Sequence, residues 1–104
     1  MRALYLFLFL FVFISNISAQ TTLEGYALST RGDTLTGANI WIAGTYDGAT
    51  TDLNGYFQFQ TDAGGVQTLL ITYLGYDTFR QELNLVAGNL YLQPRLKENI
   101  AALR

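Results

Sequence analysis

From residue 21 onward, apolar residues recur at every second position in short runs. Leu23, Gly25 and Ala27 share one face of residues 22–28. Ala38, Ile40 and Ile42 share one face of 38–43, with Asn39, Trp41 and Ala43 pointing the other way. After a short run at 49–52, Phe57 and Phe59 alternate with Tyr56, Gln58 and Gln60. Phe79, Leu83 and Leu85 repeat the pattern, and Leu90 and Leu92 begin a last run that Pro94 stops or places at a sheet edge. Period-2 alternation marks strands with one buried face. Residues 68–74 form the most continuous apolar run, which predicts a central strand. About seven short strands at this spacing predict an all-β sandwich.

Glycine and polar residues punctuate these runs: Gly44-Thr45, Asp47-Gly48, Asp62 to Gly65, Gly75 and Ala87-Gly88-Asn89. Asn54-Gly55 predicts a tight primed hairpin turn, because both residue types tolerate positive φ. Helical spacing occurs only at 96–104, where Leu96, Ile100 and Leu103 share a face. That stretch is too short for a stable isolated helix.

The first nineteen residues follow another rule. Met1-Arg2 is a short basic start, residues 3–14 are an unbroken apolar run, and residues 15–19 are small or polar apart from Ile17. This is the three-part pattern of a secretory signal peptide, cleaved after Ala19. A membrane helix is the competing reading. Twelve apolar residues reach about 18 Å, short of a hydrocarbon core of about 30 Å. No cysteine follows the run, so the acceptor for a lipoprotein anchor is missing.

The chain divides into a signal peptide at 1–19, one β-sandwich at 20–97, and a tail or start of a linker at 98–104. No transmembrane helix is expected in the mature chain. The mature part keeps five basic residues (Arg31, Arg80, Arg95, Lys97, Arg104) and all eight acidic ones, for a net charge of −3. It has no basic stripe, which argues against a nucleic-acid partner. Without cysteine there are no disulfides, so burial and strand pairing must hold the fold.

The chemistry is mostly excluded. With no His and no Cys, the usual zinc and thiol sites and a Ser-His-Asp relay are out of reach. Asp33, Asp47, Asp52, Asp62 and Asp77 all fall at turns or strand ends, where aspartate bonds local backbone N–H groups. Asp52 to Gly55 is too short of ligands for a calcium loop and reads as a turn. The glycines make no phosphate-binding pattern. No catalytic, metal or cofactor-binding residue is expected, and no cofactor. Tyr26, Tyr46, Tyr56, Tyr73, Tyr76 and Tyr91 offer a sugar-stacking platform on one reading and sheet packing on the other. Trp41 is the candidate partner contact; its alternative is packing under a loop or along an edge.

Several pieces together carry a resemblance. They are Leu23-Glu24-Gly25, Gly32-Asp33-Thr34-Leu35, Gly37-Ala38-Asn39-Ile40, Gly44-Thr45, Ala49-Thr50-Thr51-Asp52, Asn54-Gly55-Tyr56-Phe57 and residues 70–76, LITYLGY. In this order they resemble the carboxypeptidase regulatory-like domain, of transthyretin-like (prealbumin-like) type, over about residues 22–97. Thr36 departs from the proline usual before Gly-Ala in that family. The resemblance implies a seven-stranded antiparallel Greek-key β-sandwich without catalytic residues. Behind a signal peptide it looks like the N-terminal extension of TonB-dependent outer-membrane receptors of Bacteroidetes-type bacteria. That implies a non-enzymatic accessory or interaction domain on the periplasmic side of the outer membrane, or free in the periplasm. Its partners would be the receptor plug and barrel or periplasmic coupling proteins. Residues 97–103 resemble the start of the link to a plug, which favours a fragment of a longer receptor. The alternative is a free-standing exported carbohydrate- or surface-binding module.

Overall fold

The structure is a computed structural model and describes residues 20–99. The signal-peptide expectation and the end of the helical spacing, 100–104, lie outside the described residues.

Among the described residues nine strands follow one another. They are β1 (Thr21–Tyr26), β2 (Leu28–Ser29), β3 (Asn39–Ile42), β4 (Gly48–Thr50), β5 (Tyr56–Thr61), β6 (Gly65–Thr72), β7 (Phe79–Leu85), β8 (Gly88–Leu92) and β9 (Arg95–Leu96). Three sheets result, in the orders β5-β1-β8, β4-β3-β6-β7 and the two-stranded β2-β9. The alternation explains the two larger sheets. Leu23, Phe57 and Phe59 from one, and Ile40, Ile42, Leu69, Ile71, Leu83 and Leu85 from the other, are buried in one core. Full burial of such a side chain contributes about 1.5–3 kcal/mol each. β6 sits inside the four-stranded sheet, as its continuous apolar run predicts. β3 and β4 pair, β5 crosses to the other sheet, and β6 returns beside β3; the expected Greek key of hairpin-linked neighbours is not formed here, because β5 pairs with β1 and not with β4. The all-β sandwich stands.

Three details differ from the sequence reading. First, nine strands replace about seven, because the expected strand 22–28 breaks at Ala27 and two-residue β2 and β9 are too short to show alternation. Second, the sandwich is not wholly antiparallel. β8 runs parallel to β1 and β9 parallel to β2. Alternation reports which face a residue takes, not the direction of its neighbour. Gly25 permits the β1–β8 pairing: a Cβ there would stand 1.7 Å from the Leu92 carbonyl oxygen.

Third, Asn54-Gly55 does not make a primed turn. Only Gly55 has positive φ, at 77°. The Gly55 N–H bonds the Asp52 carbonyl, and the Asp52 N–H bonds the Tyr56 carbonyl, each at 3.0 Å. This is a three-residue loop with glycine in the left-handed position. Its flanking strands then part, β4 to one sheet and β5 to the other.

Buried hydroxyls fasten the connections. Thr51 Oγ1 donates to the Leu35 carbonyl (2.6 Å) and accepts from the Ala38 N–H (2.8 Å). Ser29 Oγ accepts from the N–H groups of Arg31 and Asp33. Thr21 Oγ1 donates to the Val86 carbonyl, and Thr61 Oγ1 to the Asp47 carboxylate. Among the described residues no buried side-chain polar atom lacks a partner, as burial of polar groups requires.

At the far end, Leu96 is a core residue in β9, not the start of a helical face. Beyond it Glu98 bridges Tyr76, and Asn99 donates from its backbone N–H to the Gly75 carbonyl (2.7 Å) and from its side chain to Asp77 (2.6 Å). Arg31 pairs with Glu98 at 2.7 Å. The chain enters the sandwich at β1 beside Thr61 and Gly88, and Asn99 sits at the opposite end, beside the 73–78 loop.

Candidate functional site

Trp41 lies on the outer face of the four-stranded sheet. Pairing registers set it in one cross-strand row, Gly48, Trp41, Leu70 and Arg80. Trp41 and Leu70 are half-buried and Arg80 is exposed. Gly48 leaves the row flat on one side, since a Cβ there would stand 2.7 Å from the Trp41 Cβ. The row therefore offers an apolar pair bounded by one cation. Trp and Arg are over-represented among residues that carry protein–protein binding energy.

The aspartates sort as turn formers and ties. Asp52 caps its own loop, its Oδ1 accepting from the N–H groups of Asn54 (2.8 Å) and Tyr56 (3.0 Å). Asp47 instead accepts from Thr61, joining the 43–47 turn to the end of β5. Asp77 holds Asn99, and Asp33 lies 3.8 Å from Arg31 on the surface. Among the described residues no three His, Cys, Asp or Glu side chains gather as a metal site would require. A hollow of about 660 Å³ opens at the end where the chain leaves, lined by Gly37, Asn39, Thr72, Tyr73, Leu74, Gly75, Tyr76 and Thr78. Its lining carries no charged side chain.

The six tyrosines separate. Tyr73 and Tyr76 pack edge to face, centroids 5.3 Å apart, against the core. Tyr46 is fully exposed at the 43–47 turn. Tyr26, Tyr56 and Tyr91 reach the outer face of the three-stranded sheet. There the Tyr56 hydroxyl donates to Glu24 at 2.9 Å. The Glu24 carboxylate, with some loss of hydration, raises the Tyr56 phenol above its ordinary value. Sequence reasoning missed the buried hydroxyls of Ser29 and Thr51, because a threonine or serine at an inward position looks the same as one at a turn.

Comparison with known proteins decides the family. The CarboxypepD_reg-like domain family matches residues 23–104. The chain belongs to this family. A CarboxypepD_reg-like domain is thus what the two packed sheets and the glycine-punctuated strands build. The TonB-dependent receptor SusC of Bacteroides thetaiotaomicron is 32% identical over 84 residues, which is 81% of this chain and 8% of that receptor. The chain thus spans a small part of this much longer relative. Among solved structures, a type II cohesin–X-dockerin complex from Acetivibrio cellulolyticus matches 71% of this chain and 52% of the other, at 30% identity and TM-score 0.59. The 3-chlorocatechol 1,2-dioxygenase of Rhodococcus opacus matches 79% and 61% at 12% identity and TM-score 0.59, a likeness of fold alone. The family match and the likeness to the SusC receptor support a receptor-associated β domain. Among the described residues no helix is long and apolar enough to cross a membrane.

Proposed function

We propose that this chain is a non-enzymatic accessory domain at the N-terminus of a TonB-dependent outer-membrane receptor for nutrient uptake. The carrying observation is the likeness of 84 residues to a receptor roughly twelve times longer, as the 8% share implies. Residues 1–19 serve as a cleaved signal peptide, 20–97 as the sandwich, and 98–104 begin the link to a plug and barrel. The domain works on the periplasmic side by protein contact, not by catalysis, and needs no cofactor. The contact is the Trp41–Leu70–Arg80 row, an apolar pair flanked by a cation on an open sheet face. Its partner is the receptor's own plug and barrel or a periplasmic coupling protein.

Sequencing the gene beyond the codon for Arg104 tests the receptor assignment. A plug and barrel in frame is the expected result; an in-frame stop with neither sinks it. A free-standing carbohydrate-binding module is the second reading, favoured by the gathering of Tyr26, Tyr56 and Tyr91 on one face. It would be left standing by that stop codon.

A further inference from the structure

The three-stranded sheet turns a chemically different face outward. Among the outward positions of β5, β1 and β8, Glu24 alone is charged. Gln58, Glu24 and Tyr91 form one cross-strand row. One row further along, Tyr26 and Tyr56 stand opposite each other, ring centroids 5.4 Å apart and planes tilted by 31°. Tyr91 is 56% exposed and Tyr26 38%. Tyr56 occupies one Glu24 oxygen, which fixes the carboxylate and leaves its second oxygen to accept from a ligand. Gln93 approaches Tyr91 at 3.4 Å at the end of the face.

Three features select the ligand. Exposed tyrosine rings give flat apolar surface with a polar tip, suited to the C–H face of a pyranose. Gln58, Gln93 and Glu24 supply donors and acceptors suited to ring hydroxyls. The single carboxylate, with no cation, disfavours phosphate, nucleic acid and anionic lipid surfaces, which need Lys or Arg. The charge balance therefore fits a neutral, hydroxyl-rich molecule, and the flat rows fit an extended one. We infer that the outer face of β5-β1-β8 binds a neutral linear oligosaccharide, with sugar rings on Tyr26 and Tyr91 and hydroxyls bonded by Glu24 and Gln58. The site stands whether or not the chain is part of a receptor.

The test titrates the full chain with cellohexaose, maltohexaose, xylohexaose and mannohexaose at about 10 mM each, enough to reveal a Kd of about 1 mM, and follows backbone amide shifts. At least one probe is expected to move the amides of residues 24–26, 56–58 and 90–92. Tyr91→Ala and Tyr26→Ala should each weaken that binding by about 3- to 10-fold. Tyr91 is exposed and outside the core, so its variant keeps the fold; an unchanged amide spectrum elsewhere checks this. Trp41→Ala should leave the binding unchanged. Silence with all four probes overturns the inference. So do shifts confined to the Trp41 row or to the hollow at 72–78, and binding that both tyrosine variants retain. A protein partner captured on this face in place of any sugar also overturns it.

Discussion

The two large sheets share one core and obey the same inward alternation, yet their outer faces differ in kind. The four-stranded sheet puts Trp41, Leu70 and Arg80 in one row. The three-stranded sheet puts Gln58, Glu24 and Tyr91 in the equivalent place, with Tyr26 and Tyr56 beside them. Inward positions are dictated by packing, so they say little about function. Outward positions are free of that demand, and their chemistry reports what each face meets. One face suits the burial of apolar area against another protein; the other suits hydroxyl-rich contacts.

The comparison can be broken most severely at Gly25. Gly25→Ala drives a Cβ into the Leu92 carbonyl, so β8 cannot stay beside β1. We expect a loss above about 4 kcal/mol, in the class of exceptional substitutions, read as a collapse of the denaturant midpoint. Retention of wild-type stability would mean the parallel pairing is not as described.

Thr51→Val acts on the other sheet. It leaves the Leu35 carbonyl and the Ala38 N–H without their partner while keeping the shape. The expected cost is about 2 kcal/mol, again by denaturant melt, with the tyrosine face unaffected in the amide spectrum. A neutral result would mean water replaces the hydroxyl.

A smaller effect sharpens the tyrosine face itself. Tyr56→Phe removes the hydrogen bond to Glu24 and should lower stability slightly near neutral pH, by less than Thr51→Val does. The pH dependence has a definite sign. The folded phenol holds its proton above the ordinary value of 10.0, so its contribution to stability is fully present below the unfolded value and is lost as pH rises through the folded one. The wild-type chain should therefore lose stability above about pH 10 more steeply than the Phe variant. Parallel curves for the two would contradict the pairing.

The smallest effect expected is at the exit. Glu98→Gln removes an exposed pair with Arg31, and should change stability by less than about 1 kcal/mol and lose its effect in high salt. The backbone bonds of Asn99 and Asp77 keep the segment in place.

Much of this was legible in the sequence. The inward sets at Ala38, Ile40 and Ile42, and at Phe57 and Phe59, are buried as the alternation says. Of the two readings of Pro94, the structure takes the first: β8 ends at Leu92 and Pro94 stands between β8 and β9. β2 and β9 were not legible, because two residues carry no period and their pairing spans most of the chain. The turn at Asp52 to Gly55 was legible as a turn but not as the point where the chain changes sheet. For the site, Trp41 was legible as an outward aromatic. The grouping of Tyr26, Tyr56 and Tyr91, to the exclusion of Tyr46, Tyr73 and Tyr76, depends on strand order and on the parallel placing of β8, which residue spacing does not encode.

The central claim is that the Trp41 row is the protein-contacting face and the tyrosine face is not. A photo-crosslinking residue placed at position 41, and separately at position 58, in living cells tests it most directly. The account predicts that position 41 crosslinks to the receptor's own plug or to a periplasmic protein, and that position 58 gives no protein crosslink. Crosslinks from position 58 with none from position 41 would contradict it.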